Sequence, residues 1–286
     1  SGAATITTIS NITFNNTSSG AGTGVVDVLS GTLNLTGGGT ANAGSTFTGA
    51  SGTTLGFAGG TYSLQTGSAV SAATVTFSGS GTTNINGTYS ATATTANSGD
   101  ANFNPGATVN SVGALTISNG ASTVTFNTGT SITPTTLSLS AGTLAGSDPV
   151  TISGLTTWTG GGMSGTGITT LNGTVNISSN ASHDLTGGRT LNTTAPTITT
   201  MTGGGASFFR TGGGASINNS ATWQDHTTTN ATISNAFGGT QSTFSNTGVY
   251  RKSVGTATTS ISIIFTNSGT VETQNGSIAF SGGYTQ

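Results

Sequence analysis

The chain has no cysteine, only four prolines in 286 residues, and very little charge. Without thiols it can form no disulfide, no thiolate metal site and no cysteine nucleophile. Charged residues make up 3% of the sequence, against about a quarter of an ordinary soluble domain. A polar surface must therefore come from Thr, Ser, Asn and Gly. The net charge of −2 offers no basic field to a phosphate backbone. No apolar run reaches the length needed to cross a bilayer, and Ser1–Gly20 does not read as a leader. Nucleic acid and membrane insertion are set aside as partners on these grounds.

Few large apolar residues are present. Leu, Ile, Val and Phe total 54, close to the roughly 20% level below which chains become disordered. Disorder also requires high net charge, which is lacking here. The apolar residues are moreover patterned, in short bursts of period two. Val26-Asp27-Val28, Leu33-Asn34-Leu35, Val75-Thr76-Phe77, Leu137-Ser138-Leu139 and Val175-Asn176-Ile177 are examples. Each places two apolar side chains on one face of a strand and a small polar one on the other. No segment sustains helical periodicity. Gly-rich corners such as Gly37-Gly38-Gly39 and Gly160-Gly161-Gly162 separate the bursts, because glycine permits a tight change of direction. Bursts recur every 7 to 13 residues, so two or three of them make a coil of about 20–22. That pattern predicts an all-β fold, a parallel β-helix or β-solenoid whose coils pair with those above and below. An antiparallel sandwich also uses short strands. It would show more hairpin turns than the four at Asn86-Gly87, Asn119-Gly120, Asn172-Gly173 and Asn275-Gly276.

A longer recurrence runs through the chain. Gly31-Thr-Leu-Asn-Leu-Thr-Gly-Gly-Gly-Thr40 is echoed 245 residues later by Gly276-Ser-Ile-Ala-Phe-Ser-Gly-Gly-Tyr-Thr285. Gly24–Gly31 matches Gly269–Gly276 at the same offset. With no linker in the pattern, residues 1–286 read as one continuous solenoid containing about one such repeat. Strand pattern already begins at Ala3 and still runs through Ser277–Ser281. Adjacent repeats or identical subunits stacked head to tail are therefore the expected partners.

Gly31-Thr-Leu-Asn-Leu-Thr-Gly-Gly, Thr156-Thr-Trp-Thr-Gly-Gly-Gly-Met-Ser-Gly-Thr-Gly167 and Asn267-Ser-Gly-Thr-Val271 resemble large bacterial surface proteins. The type is that of filamentous haemagglutinin and autotransporter passengers. The resemblance implies a right-handed β-helix, export, and a structural or adhesive role outside the cell or on its surface. It transfers no catalytic or binding residue, and no cofactor is expected.

Enzymes built on β-helices gather carboxylates in a groove, yet the only acids here are Asp27, Asp100, Asp148, Asp184, Asp225 and Glu272. No two lie within nine residues, which excludes calcium sites of the Asp-rich nonapeptide kind. The densest cluster comprises His183, Asp184, Arg189, Arg210, Asp225, His226, Arg251 and Lys252. Arg189 and Arg210 are 21 apart, Arg251 lies 41 further on, and Asp184 and Asp225 also differ by 41. With rungs near 20.5 residues, the arginines and the acids would each form a column and make a contact patch. Chance alignment of sparse charges in a periodic chain is the plainer account. A Ser-His-Asp triad through Asp225 and His226 is disfavoured, since adjacent strand residues face opposite ways. Trp158 and Trp223 suit the core better than a sugar platform. Phe208-Phe209 implies either one outward ring or a bulge. The Thr runs at Thr92–Thr95 and Thr227–Thr229 suggest a second class of function, a face for ice or surface glycans.

Overall fold

The computed structural model describes residues 5–18 and 23–286. Ala3 and Ala4, where the strand pattern was expected to start, lie outside the described residues, and the first strand runs Ile6–Ile9. Every regular element is a strand, and every pairing between strands is parallel. No helix forms among the described residues. The chain divides into two compact units, residues 1–135 and 136–286.

In the first unit the strands stack on three faces. One carries Ile6–Ile9, Thr32–Leu35 and Ala114–Ile117. The next carries Gly39–Ala41, Thr61–Leu64, Thr82–Ile85, Asp100–Phe103 and Thr123–Phe126. Three long strands, Thr46–Phe57, Ala69–Phe77 and Thr88–Ala96, bend so that each serves two faces. The first half of Thr46–Phe57 pairs with Val25–Val28 and its second half with Thr32–Leu35, with a register shift between Gly49 and Thr54.

The second unit is more regular. Three parallel sheets, each seven strands deep, start from Thr136–Leu139, Thr143–Gly146 and Val150–Ile152. A coil visits the sheets in turn and returns one strand higher, which is a β-solenoid.

Period-two alternation sets which side chains point inward, and the resulting ladders are aromatic. In the first unit Phe57, Phe77, Tyr89, Phe103 and Phe126 follow one another at centroid separations of 4.7 to 6.5 Å. In the second, Trp223, Phe244, Tyr250 and Phe265 do the same. Burying each such ring contributes about 2–3 kcal/mol. Stacking on the neighbouring coil is what buries it.

Coil length differs from the expected 20–22. It is 19 residues from Leu137 to Thr156 but 27 from Trp223 to Tyr250. The corners absorb the difference while strand register is held. One corner shows why glycine recurs. Gly113 has φ +58, and a Cβ there would lie 1.7 Å from the Thr92 carbonyl oxygen, so no other residue fits beneath that rung.

Candidate functional site

The charged cluster expected from the sequence lies in the second unit, and its members separate into four arrangements. The columns do not form, because coils here are longer than 20.5 residues. Asp184 registers with Arg210, 26 residues on, and Asp225 with Lys252, 27 residues on.

Asp184 and Arg210 face outward on adjacent strands and make a two-point ion pair, Nε to Oδ1 and Nη2 to Oδ2, both 2.6 Å. The bond to Asp184 holds the Arg210 guanidinium above its ordinary pKa, and its face covers the Phe237 ring at 5.0 Å. Arg251 pairs with Glu272 of the next coil, also on the outer surface. Both arginines are half-buried.

Arg189 is wholly buried at a corner. Its Nε and Nη2 donate to Thr169 Oγ1, and its Nη1 to the carbonyls of Gly146 and Ser164. Burial brings its pKa down to about 10, opposed by the Asp148 carboxylate.

His183 is also wholly buried. It lies between Trp158, Phe208 and Phe209, whose ring centres are 4.8 to 6.4 Å away. Nδ1 faces the Phe208 carbonyl at 3.1 Å and Nε2 the Trp158 carbonyl at 3.0 Å. A neutral imidazole can donate to only one of them. Burial pushes its pKa below the usual value, against the pull of those carbonyls and of Asp184.

The fourth arrangement is the densest. The Asp225 and Lys252 side chains are fully enclosed, with Nζ 3.3 Å from Oδ1. Oδ1 also accepts from the Thr227 backbone N–H at 3.0 Å and the Thr227 hydroxyl at 2.7 Å. Oδ2 accepts from the Tyr250 hydroxyl at 3.1 Å. Nζ reaches the Thr227 carbonyl at 3.2 Å and the Thr227 hydroxyl at 2.8 Å, and Thr259 stands 3.2 Å from that hydroxyl. Burial, then the Asp225 charge and hydrogen bond, raise the Tyr250 pKa far above normal. His226, next along from Asp225, is half-buried on the other side of the strand. Tyr250 and Thr259 were not expected in a site, and Thr227 was expected on an outer Thr face rather than here. The signal was available in the alignment of Trp223-Gln-Asp225 with Tyr250-Arg-Lys252, where the charges share the aromatic face.

Trp158 and Trp223 are both core residues with no exposed surface. Phe208 and Phe209 are both buried, and a register shift between Gly205 and Phe209 provides the bulge. Two of the Thr positions singled out for ice or glycan turn inward. Thr94 is buried and bonds to the Val112 carbonyl and near Tyr89 Oη, while Thr227 belongs to the Asp225 cluster.

The outer surface has two further features. Where the long strands of the first unit bend, a groove of about 700 Å³ runs past Ser71, Ser90, Thr92 and Ser111. In the second unit a polar file of Thr151, Thr170, Asn192, Asn218, Ser245 and Thr266 climbs one sheet in direct register. Comparison of the chain with protein-family models, curated proteins and solved structures finds no match.

Proposed function

We propose that this chain is a structural, adhesive segment of an extracellular or cell-surface rod in the style of the filamentous-haemagglutinin and autotransporter-passenger proteins. In this reading it stacks end to end with further coils. One observation carries it: all four Lys and Arg side chains are engaged in contacts between coils of one unit, as Arg189, Arg210, Arg251 and Lys252 each show. These four cations hold rungs in register.

The two copies of the 245-residue recurrence each form three strands but distribute them differently: Val25–Val28 and Thr32–Leu35 share one sheet and Gly39–Ala41 lies on another, whereas Thr270–Thr273, Ser277–Phe280 and Tyr284–Thr285 lie on three. Val271, Ile278 and Phe280 are only half-buried, whereas Tyr250, Ile261 and Phe265 beneath them are fully so. Light scattering and electron micrographs of the purified chain test end-to-end stacking. Mass and particle length should grow with concentration, and a chain that stays monomeric at high concentration refutes end-to-end assembly. No cleavage of uronate polysaccharides is expected, with or without calcium. Cleavage abolished by Asp184→Ala or Asp225→Ala would make the chain an enzyme.

A second reading rests on the polar file from Thr151 to Thr266, a repeating array of hydroxyl and amide groups suited to ice or to a surface glycan. Thermal hysteresis, or retention on an insoluble polysaccharide lost in Thr170→Leu, would favour it.

A further inference from the structure

We propose that Lys252 and Asp225 are partners in an intramolecular isopeptide bond that ties two successive coils of the second unit together covalently. The inference does not depend on the rod reading and survives its failure.

The first ground is placement. Strands Thr222–Asp225 and Val249–Lys252 pair in direct register, which sets the two side chains opposite each other. Neither has any exposed surface, and Nζ sits 3.3 Å from Oδ1. Reacting groups held at about 3–3.5 Å behave as if at very high concentration.

The second ground is exclusion of water. Tyr250 lies within the cluster, packed against Trp223 and Phe244 at centroid distances of 6.5 and 5.6 Å. All three rings are buried. A dry site opposes hydrolysis of the product, and it also makes a neutral amide preferable to a buried ion pair.

The third ground is that the groups a condensation needs are already in position. The Thr227 hydroxyl touches both Nζ, at 2.8 Å, and Oδ1, at 2.7 Å, and so holds the amine against the carboxyl group. The Thr227 backbone N–H is directed at Oδ1, where negative charge would gather on a tetrahedral intermediate. The Tyr250 hydroxyl is directed at the other oxygen, Oδ2.

The step balances. One proton passes from the Lys252 ammonium to the Asp225 carboxylate, leaving an amine and a carboxylic acid. Nζ attacks the carboxyl carbon and the new C–N bond forms. A second proton moves from nitrogen to oxygen, the C–Oδ2 bond breaks, and Oδ2 departs as water. Oδ1 becomes the amide oxygen and nitrogen keeps its last proton. Both polar groups of the product have partners in place, the amide oxygen with the Thr227 N–H and the amide N–H with the Thr227 carbonyl.

Mass spectrometry of the full chain under denaturing conditions decides the matter. The wild-type mass should be lower than the sequence mass by one water. Trypsin should fail to cut after Lys252 and should yield a branched product, residues 211–251 joined to 252–286. Lys252→Arg and Asp225→Ala should each have the full mass, whether or not they fold well. Tyr250→Phe should accumulate the branched product more slowly. A wild-type chain at full mass that stays so on prolonged incubation in the folded state, with normal cleavage after Lys252, overturns the proposal and leaves an ordinary buried ion pair.

Discussion

Asn34 and Leu35 are neighbours on one strand with opposite environments. Leu35 has no exposed surface, whereas Asn34 lies on the outer side, opposite Gly56 of the next coil. Leu35→Asp would bury a charge without a partner and should cost several kcal/mol, while Asn34→Asp should stay within about 0.5 kcal/mol. Thermal unfolding of the two variants checks this, and equal effects would refute the inward and outward assignment. His183 makes a residue-scale prediction of a different kind. Its folded pKa is below the unfolded value of about 6.5, so the unfolded chain binds the extra proton first. Stability is therefore full above about pH 6.5 and falls as pH drops below it, by at most about 1.4 kcal/mol per pH unit. Asp184, its neighbour on the strand, acts on the ring's charge and is itself paired with Arg210 of the next strand. Urea midpoints measured from pH 7.5 to 5 should show this slope, and His183→Gln should flatten it.

Among the elements, buried and exposed charges should contribute very differently. Arg189→Met would strip partners from the Thr169 hydroxyl and the Gly146 and Ser164 carbonyls, leaving a corner unsatisfied at a cost of about 3–5 kcal/mol. Arg210→Ala breaks a partly exposed pair, which should cost about 0.2–1 kcal/mol and less in high salt. Calorimetry at two salt concentrations separates them, and similar losses for both would contradict the burial difference. The strands themselves were legible in the sequence, because Leu137-Ser138-Leu139 and Val175-Asn176-Ile177 obey a simple inside-outside alternation. The destination of the charged residues was not. Charge ordinarily marks a solvated position, so His183, Arg189, Asp225 and Lys252 read as a surface patch although all four are enclosed. Coil length was hidden for a related reason. Corner loops take up extra residues at little entropic cost, so spacing in sequence did not translate into columns in space.

At the largest scale, strand pairing in the second unit joins successive coils, while some side chains reach one coil further, as Arg189 does to Gly146 and Trp158 to Phe209. In the second unit Trp158 is flanked in register by Leu139 on one strand and Ile177 on the next, and it packs against His183 and Phe209. The aromatic ladder from Trp223 to Phe265 has no ring contact with it among those formed by the described residues. In such a stack, stability is close to a sum of coil terms and nearest-neighbour terms. A cavity in one coil should then loosen that coil and those it touches, without reaching coils further along. Trp158→Ala removes a fully buried ring, a loss of about 3–5 kcal/mol. Hydrogen exchange should accordingly speed up in Leu137–Leu139, Val175–Ile177, His183–Leu185 and the strand Gly205–Thr211 that carries Phe209. Thr243–Asn246 and Ile264–Asn267, whose Phe244 and Phe265 pack on each other at 5.1 Å, should keep their protection. If protection fell equally across residues 136–286, the unit would be unfolding as one cooperative block, and the nearest-neighbour account of its stability would be wrong.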